Sequence, residues 1–255
     1  MRRREKFVIV SVLLSAGLLA TQYIPLDWRY LSILVLFLLS YLSSVWALSD
    51  DLQAHEWLTI VPFPALYASA VALFYFLLPE IFWSRLIVIL VFGVGMYGLF
   101  LTSNIFSVAK GRTIQLLYAA HAVGLFFTML TSLLFSNVIF SLRLPFYYNA
   151  LLLFASHFPL VLMSLWSIEL RQKISRELTL YSLVFSLILA ELGILFSFLP
   201  LQIWSQALFV MSFLYLGLSI LQNLFKGRLF RNTINEYNLV AFLMLFLFII
   251  LFPSK

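Results

Sequence analysis

Residues 82–102 read FWSRLIVILVFGVGMYGLFLT and residues 115–138 read QLLYAAHAVGLFFTMLTSLLFSNV, with the basic turn Lys110-Gly-Arg112 between them. An α-helix rises about 1.5 Å per residue, so about 20 apolar residues cross a hydrocarbon core about 30 Å thick. Each run is long enough to do so. The pattern of apolar run, short polar turn and second apolar run decides the fold, because the rest of the chain repeats it.

The same pattern gives nine spans: Phe7–Ile24, Tyr30–Leu48, Leu58–Leu78, Phe82–Thr102, Gln115–Val138, Leu144–Ser167, Leu178–Leu199, Ile203–Leu224 and Tyr237–Phe252. The separators contain helix breakers and polar residues, among them Pro25-Leu-Asp-Trp-Arg29, Ser49-Asp-Asp-Leu-Gln-Ala-His-Glu-Trp57, Pro79-Glu80, Pro145, Pro200 and Gly227. Composition agrees. The 255 residues are 64% hydrophobic and only 10% charged, against roughly 25% charged in a soluble domain. The expected fold is therefore an all-α polytopic bundle, a single transmembrane domain over residues 1–255.

The sixteen Lys and Arg residues give the bundle an orientation. Arg2, Arg3, Arg4, Lys6, Lys110, Arg112, Arg171, Lys173, Arg176, Lys226, Arg228 and Arg231 fall on one side; Arg29, Arg85, Arg143 and Lys255 fall on the other. Short loops rich in Lys and Arg stay cytoplasmic. The split predicts a cytoplasmic N-terminus and an extracytoplasmic C-terminus. The basic start and apolar run of the first span also fit a signal peptide, but no Ala-x-Ala-like site follows, so an uncleaved span is expected. The net charge of +6 sits beside apolar segments. Anionic membrane lipid at the cytoplasmic face is its expected partner, and nucleic acid is not.

The chain has no cysteine, which excludes disulfides and thiolate chemistry. It has no Walker A loop, no Gly-x-Ser-x-Gly and no His-Glu-x-x-His, and no cofactor is expected. Gly93-Val-Gly95-Met-Tyr-Gly98 matches a dinucleotide pattern in letters but lies inside a span with no preceding strand, so close helix packing is its expected role. Trp28, Trp57, Trp83 and Trp204 stand at span ends, where amphipathic rings favour the headgroup zone. Asn104-Ile-Phe with Lys110-Gly-Arg112, and Asn223-Leu-Phe with Lys226-Gly-Arg228, hint at a four-span repeat, although their spacings differ.

Three constellations could carry chemistry. Glu191 and His157 lie deep in the seventh and sixth spans. Polar groups in hydrocarbon are costly, so the two could form an ion-coupling pair, or each could fasten helices. At the cytoplasmic face, Asn104, Arg112, Gln115, His121, Glu169, Arg228 and Arg231, with Tyr118 and Glu236 beside them, could bind a phosphate-bearing lipid headgroup through the planar arginine forks. They could equally be the topology signal with interfacial ion pairs. Asp50, Asp51, His55 and Glu56 form the inside loop without a basic residue. They could hold a divalent metal or simply end one helix and start the next.

Arg112-Thr-Ile-Gln-Leu-Leu-Tyr-Ala-Ala-His121-Ala-Val-Gly, Ser141-Leu-Arg-Leu-Pro145-Phe, Trp166-Ser-Ile-Glu169-Leu and Gly227-Arg-Leu-Phe-Arg231 resemble an uncharacterised family of multi-spanning bacterial membrane proteins. The resemblance implies a bacterial cytoplasmic (inner) membrane location and no particular activity. Three functions follow as expectations: a transporter or flippase-like protein for a small or lipid-linked anionic substrate, a non-catalytic membrane subunit or scaffold with a protein partner in the membrane, and a metal-dependent lipid-modifying enzyme.

Overall fold

The apolar runs fold as helices, and no strand occurs among the described residues. The computed structural model describes residues 3–49, 52, 56–79, 81–109, 115–171 and 173–251. The helices are α1 (Arg3–Thr21), α2 (Arg29–Leu48), α3 (Glu56–Thr59), α4 (Pro62–Tyr75), α5 (Phe82–Val108), α6 (Leu116–Ser141), α7 (Phe146–Glu169), α8 (Arg176–Phe198), α9 (Ile203–Phe225) and α10 (Arg231–Leu251). A single 3₁₀ turn, Leu26–Trp28, leads into α2.

Taking α3 and α4 as one span, Glu56–Tyr75, eight helices among the described residues are long and apolar enough to cross a membrane. The further long helix, α1, has 19 residues and carries Arg3, Arg4, Glu5 and Lys6 in its first turn. The third span is stepped. Pro62 has no N–H to give, and the amides of Ile60 and Val61 both reach back to the Glu56 carbonyl (2.9 and 3.2 Å). Two helices exceed their sequence bounds by six residues. α5 runs past Thr102 to Val108, and α10 starts at Arg231 and not at Tyr237. The added turns are polar, and a helix does not stop where hydrophobicity does.

Packing divides the chain into two compact units, Met1–Phe127 and Thr128–Lys255, with the boundary inside α6. In the first unit α2 packs on α4, and α1 packs on both α2 and α5. Its core is aromatic. Phe7 stacks on Phe100 at 5.8 Å, and Tyr67 lies between Phe92 (5.7 Å, stacked) and Phe127 (5.3 Å, edge-on). The glycine stripe of α5 makes room for these neighbours. A Cβ at Gly93 would come within 2.8 Å of the Ser15 hydroxyl, and one at Gly95 within 3.0 Å of the Tyr67 ring.

In the second unit α7 and α8 form the most extensive contact, and α9 packs on both. α10 rests on α9 and has no buried residue. Phe196, Phe209 and Phe248 join α8, α9 and α10, at 5.1–6.4 Å between ring centroids. Beside them a cavity of about 430 Å³ is walled by apolar side chains including Leu195, Phe213 and Met244. The four span-end tryptophans are all exposed. Trp28 precedes α2, while Trp57, Trp83 and Trp204 are the second residues of α3, α5 and α9.

Candidate functional site

A face of α7 carries Asn149, Leu153, His157, Leu160, Ser164 and Ser167, all buried. Spacings of three and four residues put them on one stripe. His157 is fully enclosed, at 0% exposure. Its Nδ1 lies 2.9 Å from the Leu153 carbonyl and 3.0 Å from the Ser156 hydroxyl, and its Nε2 lies 2.8 Å from Ser132 Oγ on α6. A carbonyl only accepts, so Nδ1 carries the proton of the neutral ring, and Ser132 donates to Nε2.

A hydroxyl donating to an imidazole whose other nitrogen is oriented by an acceptor is the arrangement of an activated nucleophile. Ser132, however, is 0% exposed, and a nucleophile needs a reachable electrophile. The pair ties α6 to α7. Other side chains of the second unit do similar work. Asn149 donates to Ser197 on α8 (3.0 Å), Gln206 to the Phe196 carbonyl (2.9 Å), Gln222 to Ser164 (2.9 Å), and Asn223 to Tyr237 on α10 (2.6 Å). These bonds link α7 to α8, α9 to α8, α9 to α7 and α9 to α10.

Glu191 is placed differently. The buried residues of α8 are Leu178, Ser182, Ser186, Leu189, Ala190, Gly193 and Phe196. Glu191 lies nine positions from Ser182, half a turn away in projection at about 100° per residue, and it is exposed. Among the described residues it makes no hydrogen bond or ion pair. The structure therefore does not form the Glu191–His157 pair expected from their similar depth. The ring nitrogens of His157 are occupied by Ser132, Leu153 and Ser156, and Glu191 faces outward.

The expected headgroup set divides between the two units. Arg112 lies outside the described residues. In the first unit Asn104 is half-buried one turn before the end of α5, and Gln115 is exposed just before α6. His121 is half-buried with its ring 5.5 Å from that of Phe106. In the second unit Glu169 belongs to the turn between α7 and α8. It pairs with Arg171 at 3.7 Å and accepts a 3.5 Å bond from Ser175, the residue that caps α8 by accepting from the Leu178 amide. Trp166 donates to the Arg171 carbonyl (3.2 Å) and closes the same turn, which passes through Leu170 in the left-handed region.

Arg228 follows Gly227, whose φ of 63° ends α9. The Gly227 amide reaches the Leu224 carbonyl (3.0 Å), and that of Arg228 reaches the Asn223 carbonyl (2.9 Å), the paired bonds of a Schellman stop. Arg231 and Glu236 are exposed in the first turns of α10. Partial burial, and then the Arg228 guanidinium, hold Lys226 below the usual lysine range.

Of the acidic loop, Asp50, Asp51 and His55 lie outside the described residues. Glu56 is 0% exposed, and Ser107 of α5 donates to its Oε2 at 3.1 Å. Thr59, Ser103 and Ser107 are buried at the ends of the same helices. Nearby, the Tyr41 hydroxyl of α2 donates to the Trp57 carbonyl (2.9 Å). No group of three or more His, Asp or Glu residues able to hold a metal occurs among the described residues. On the opposite side of the sequence-based topology, the Arg29 guanidinium lies 4.7 Å above the Phe76 ring.

Sequence reasoning missed the fastening residues Ser132, Asn149, Gln206, Gln222 and Asn223, although buried amides and hydroxyls at helical spacing signal such ties. Comparison with known proteins finds no match among family models, curated proteins or solved structures.

Proposed function

We propose that the chain is a membrane-embedded, non-catalytic subunit that acts by assembling with another membrane-spanning chain. The observation that carries this reading is Glu191. It stands about 22 Å along α8 from Arg176 and about 10 Å from Phe198, on a face it shares with exposed Leu180, Val184, Leu187 and Leu195. A lone carboxyl turned toward hydrocarbon is costly. A neighbouring helix that offers it a hydrogen bond removes that cost.

The enclosed polar residues support the same reading, since the side-chain bonds between helices in the second unit fasten one helix to another. A coupled transporter needs its ionisable side chains on a shared path, and here they point to different surroundings. In the same proposal the exposed Lys173, Arg176, Arg228 and Arg231 face the cytoplasmic leaflet of a bacterial inner membrane and meet its anionic lipids.

The test is the mass of the particle extracted from its own membrane in a mild detergent. The chain alone is 29.5 kDa. A larger particle is expected by native mass spectrometry, reduced to the single chain by Glu191→Leu. A wild-type particle that is only the single chain overturns the proposal.

A further inference from the structure

Tyr75, at the end of α4, is 2% exposed, and its hydroxyl meets no hydrogen-bond partner in the chain. A buried hydroxyl left in that state costs free energy. It is not alone. The Arg29 guanidinium, half-buried at the start of α2, lies 4.7 Å from the ring of Phe76, the residue after Tyr75. The ring offers its N–H groups no oxygen. Among the described residues the Arg29 side chain makes no hydrogen bond or ion pair, not even with exposed Asp27 two positions before it. The amide nitrogen of the half-buried Gln22 side chain, just past α1, is a third enclosed donor without an acceptor. Arg85, in the first turn of α5, acts on the Tyr75 hydroxyl electrostatically, as does Tyr23, which adjoins Gln22. These residues belong to one end of the first unit, where α1 and α4 finish and α2 and α5 begin.

What the group shares is donors. A guanidinium only donates, and the amide nitrogen and the hydroxyl have N–H and O–H bonds to give. Water satisfies a hydrogen bond but leaves the positive charge unpaired, which is costly away from bulk solvent. An oxyanion satisfies both needs, and a phosphate has enough oxygens to meet several donors while matching the planar fork of arginine. An apolar groove of about 420 Å³ lies between α1 and α2. Its walls include Thr21 and Trp28, the sequence neighbours of Gln22 and Arg29, together with Gly17 and Leu36. We infer that Arg29, Tyr75 and Gln22, with the charge of Arg85, form a binding site for a phosphate group. The groove favours a membrane lipid as its bearer, since apolar walls beside the donors suit an acyl chain. The site lies in the first unit and is independent of the subunit role proposed from Glu191.

Thermal unfolding of the purified chain in a neutral detergent is followed with added dioleoyl phosphatidic acid, with dioleoylglycerol, which lacks only the phosphate, and with inorganic phosphate. Phosphatidic acid is expected to raise the melting temperature saturably, as a ligand of the folded state does, and dioleoylglycerol is not. Tyr75→Phe and Arg29→Gln should each weaken the apparent affinity at least about tenfold, the scale of a hydrogen bond to a charged group. Arg143→Gln, at an exposed arginine of the second unit, should leave it unchanged. Without ligand, Tyr75→Phe should melt at the wild-type temperature, because the hydroxyl gives up no bond within the chain. Its loss of affinity is then separable from misfolding.

Stabilisation by inorganic phosphate as strong as by the lipid, and weakened by the same two substitutions, supports the site and makes the free anion its occupant. No stabilisation by either phosphate compound overturns the site. Stabilisation that survives both Tyr75→Phe and Arg29→Gln, or that falls equally in Arg143→Gln, overturns it as well, because it marks attraction to surface charge in general.

Discussion

Ser132→Ala removes one hydroxyl, yet its effect should depend on a residue in the next helix. In the wild type the hydroxyl donates to His157 Nε2 at 2.8 Å, and both side chains are at 0% exposure. Nδ1 is already engaged with Leu153 and Ser156. The variant leaves Nε2 as a buried acceptor without a donor. A hydrogen bond between membrane helices contributes about 0.6 kcal/mol on average and up to about 1.7, and an orphaned buried acceptor costs about 1–3 kcal/mol. These describe overlapping losses, so the expected destabilisation is about 1–2 kcal/mol. In a His157→Leu background no acceptor remains to be orphaned, and Ser132→Ala should cost near zero, because removing both partners of a buried bond is far cheaper than removing one. The coupling of the double-mutant cycle is therefore about 1–2 kcal/mol. Any packing change from His157→Leu cancels, provided it is the same with Ser or Ala at 132. Reversible unfolding in mixed micelles, followed by tryptophan fluorescence, supplies the four stabilities. Trp166 is on α7 with His157 and is 1% exposed, so it reports on the right helix. If Ser132→Ala costs the same in both backgrounds, the bond does not fasten α6 to α7 and the reasoning fails.

Gly95→Ala should destabilise the first unit by about 1–3 kcal/mol, since its methyl collides with the Tyr67 hydroxyl and meets the Tyr67 and Phe127 rings at 3.0–3.1 Å. Gly98→Ala, whose nearest contact is 3.6 Å, should be neutral or better in the same unfolding assay. Ser107→Ala should lower stability by about 1–2 kcal/mol by removing a donor to buried Glu56, read as a lower melting temperature in detergent. Arg228→Gln should slow acylation of Lys226 by an amine-reactive reagent at fixed pH. Removing the neighbouring positive charge raises the lysine toward its ordinary range and shrinks the fraction of free amine; peptide mass mapping after timed labelling gives the rate, and an unchanged rate refutes the effect.

The helices were legible because hydrocarbon thickness sets a length that Leu, Ile and Phe runs display openly. Their rotation was not. A helix that is apolar around its whole circumference carries little sign of which side turns inward, so the similar depths of His157 and Glu191 suggested a pair that their helix faces do not make. A finer signal was present. Ser182, Ser186 and Gly193 trace the side of α8 that packs closely, as small residues do in membranes, and Glu191 lies off that line. The stepped third span was foreshadowed by Pro62. The extra turns of α5 were hidden because Ser103 and Ser107 look like a loop in composition, whereas both are buried in the helix. The glycines of α5 pack against side chains from other helices, as expected once the absence of a preceding strand had removed the dinucleotide reading.

Many hydroxyls of this protein bond within their own helix. Ser15 returns to the Ser11 carbonyl, Ser44 to Ser40, Ser69 to Ala65, Thr102 to Gly98, Ser182 to Leu178 and Ser186 to Ser182, at 2.6–2.9 Å. To the neighbouring helix such a serine presents a small volume and no demand for a partner. Serine and alanine are then nearly synonymous at these serine positions, and the chain can change letters there while the contacts survive. Ser132 and the amide side chains lack that freedom, because their partners belong to another helix. Sequence drift should therefore run along the self-contained serines and halt at the few residues that tie one helix to the next.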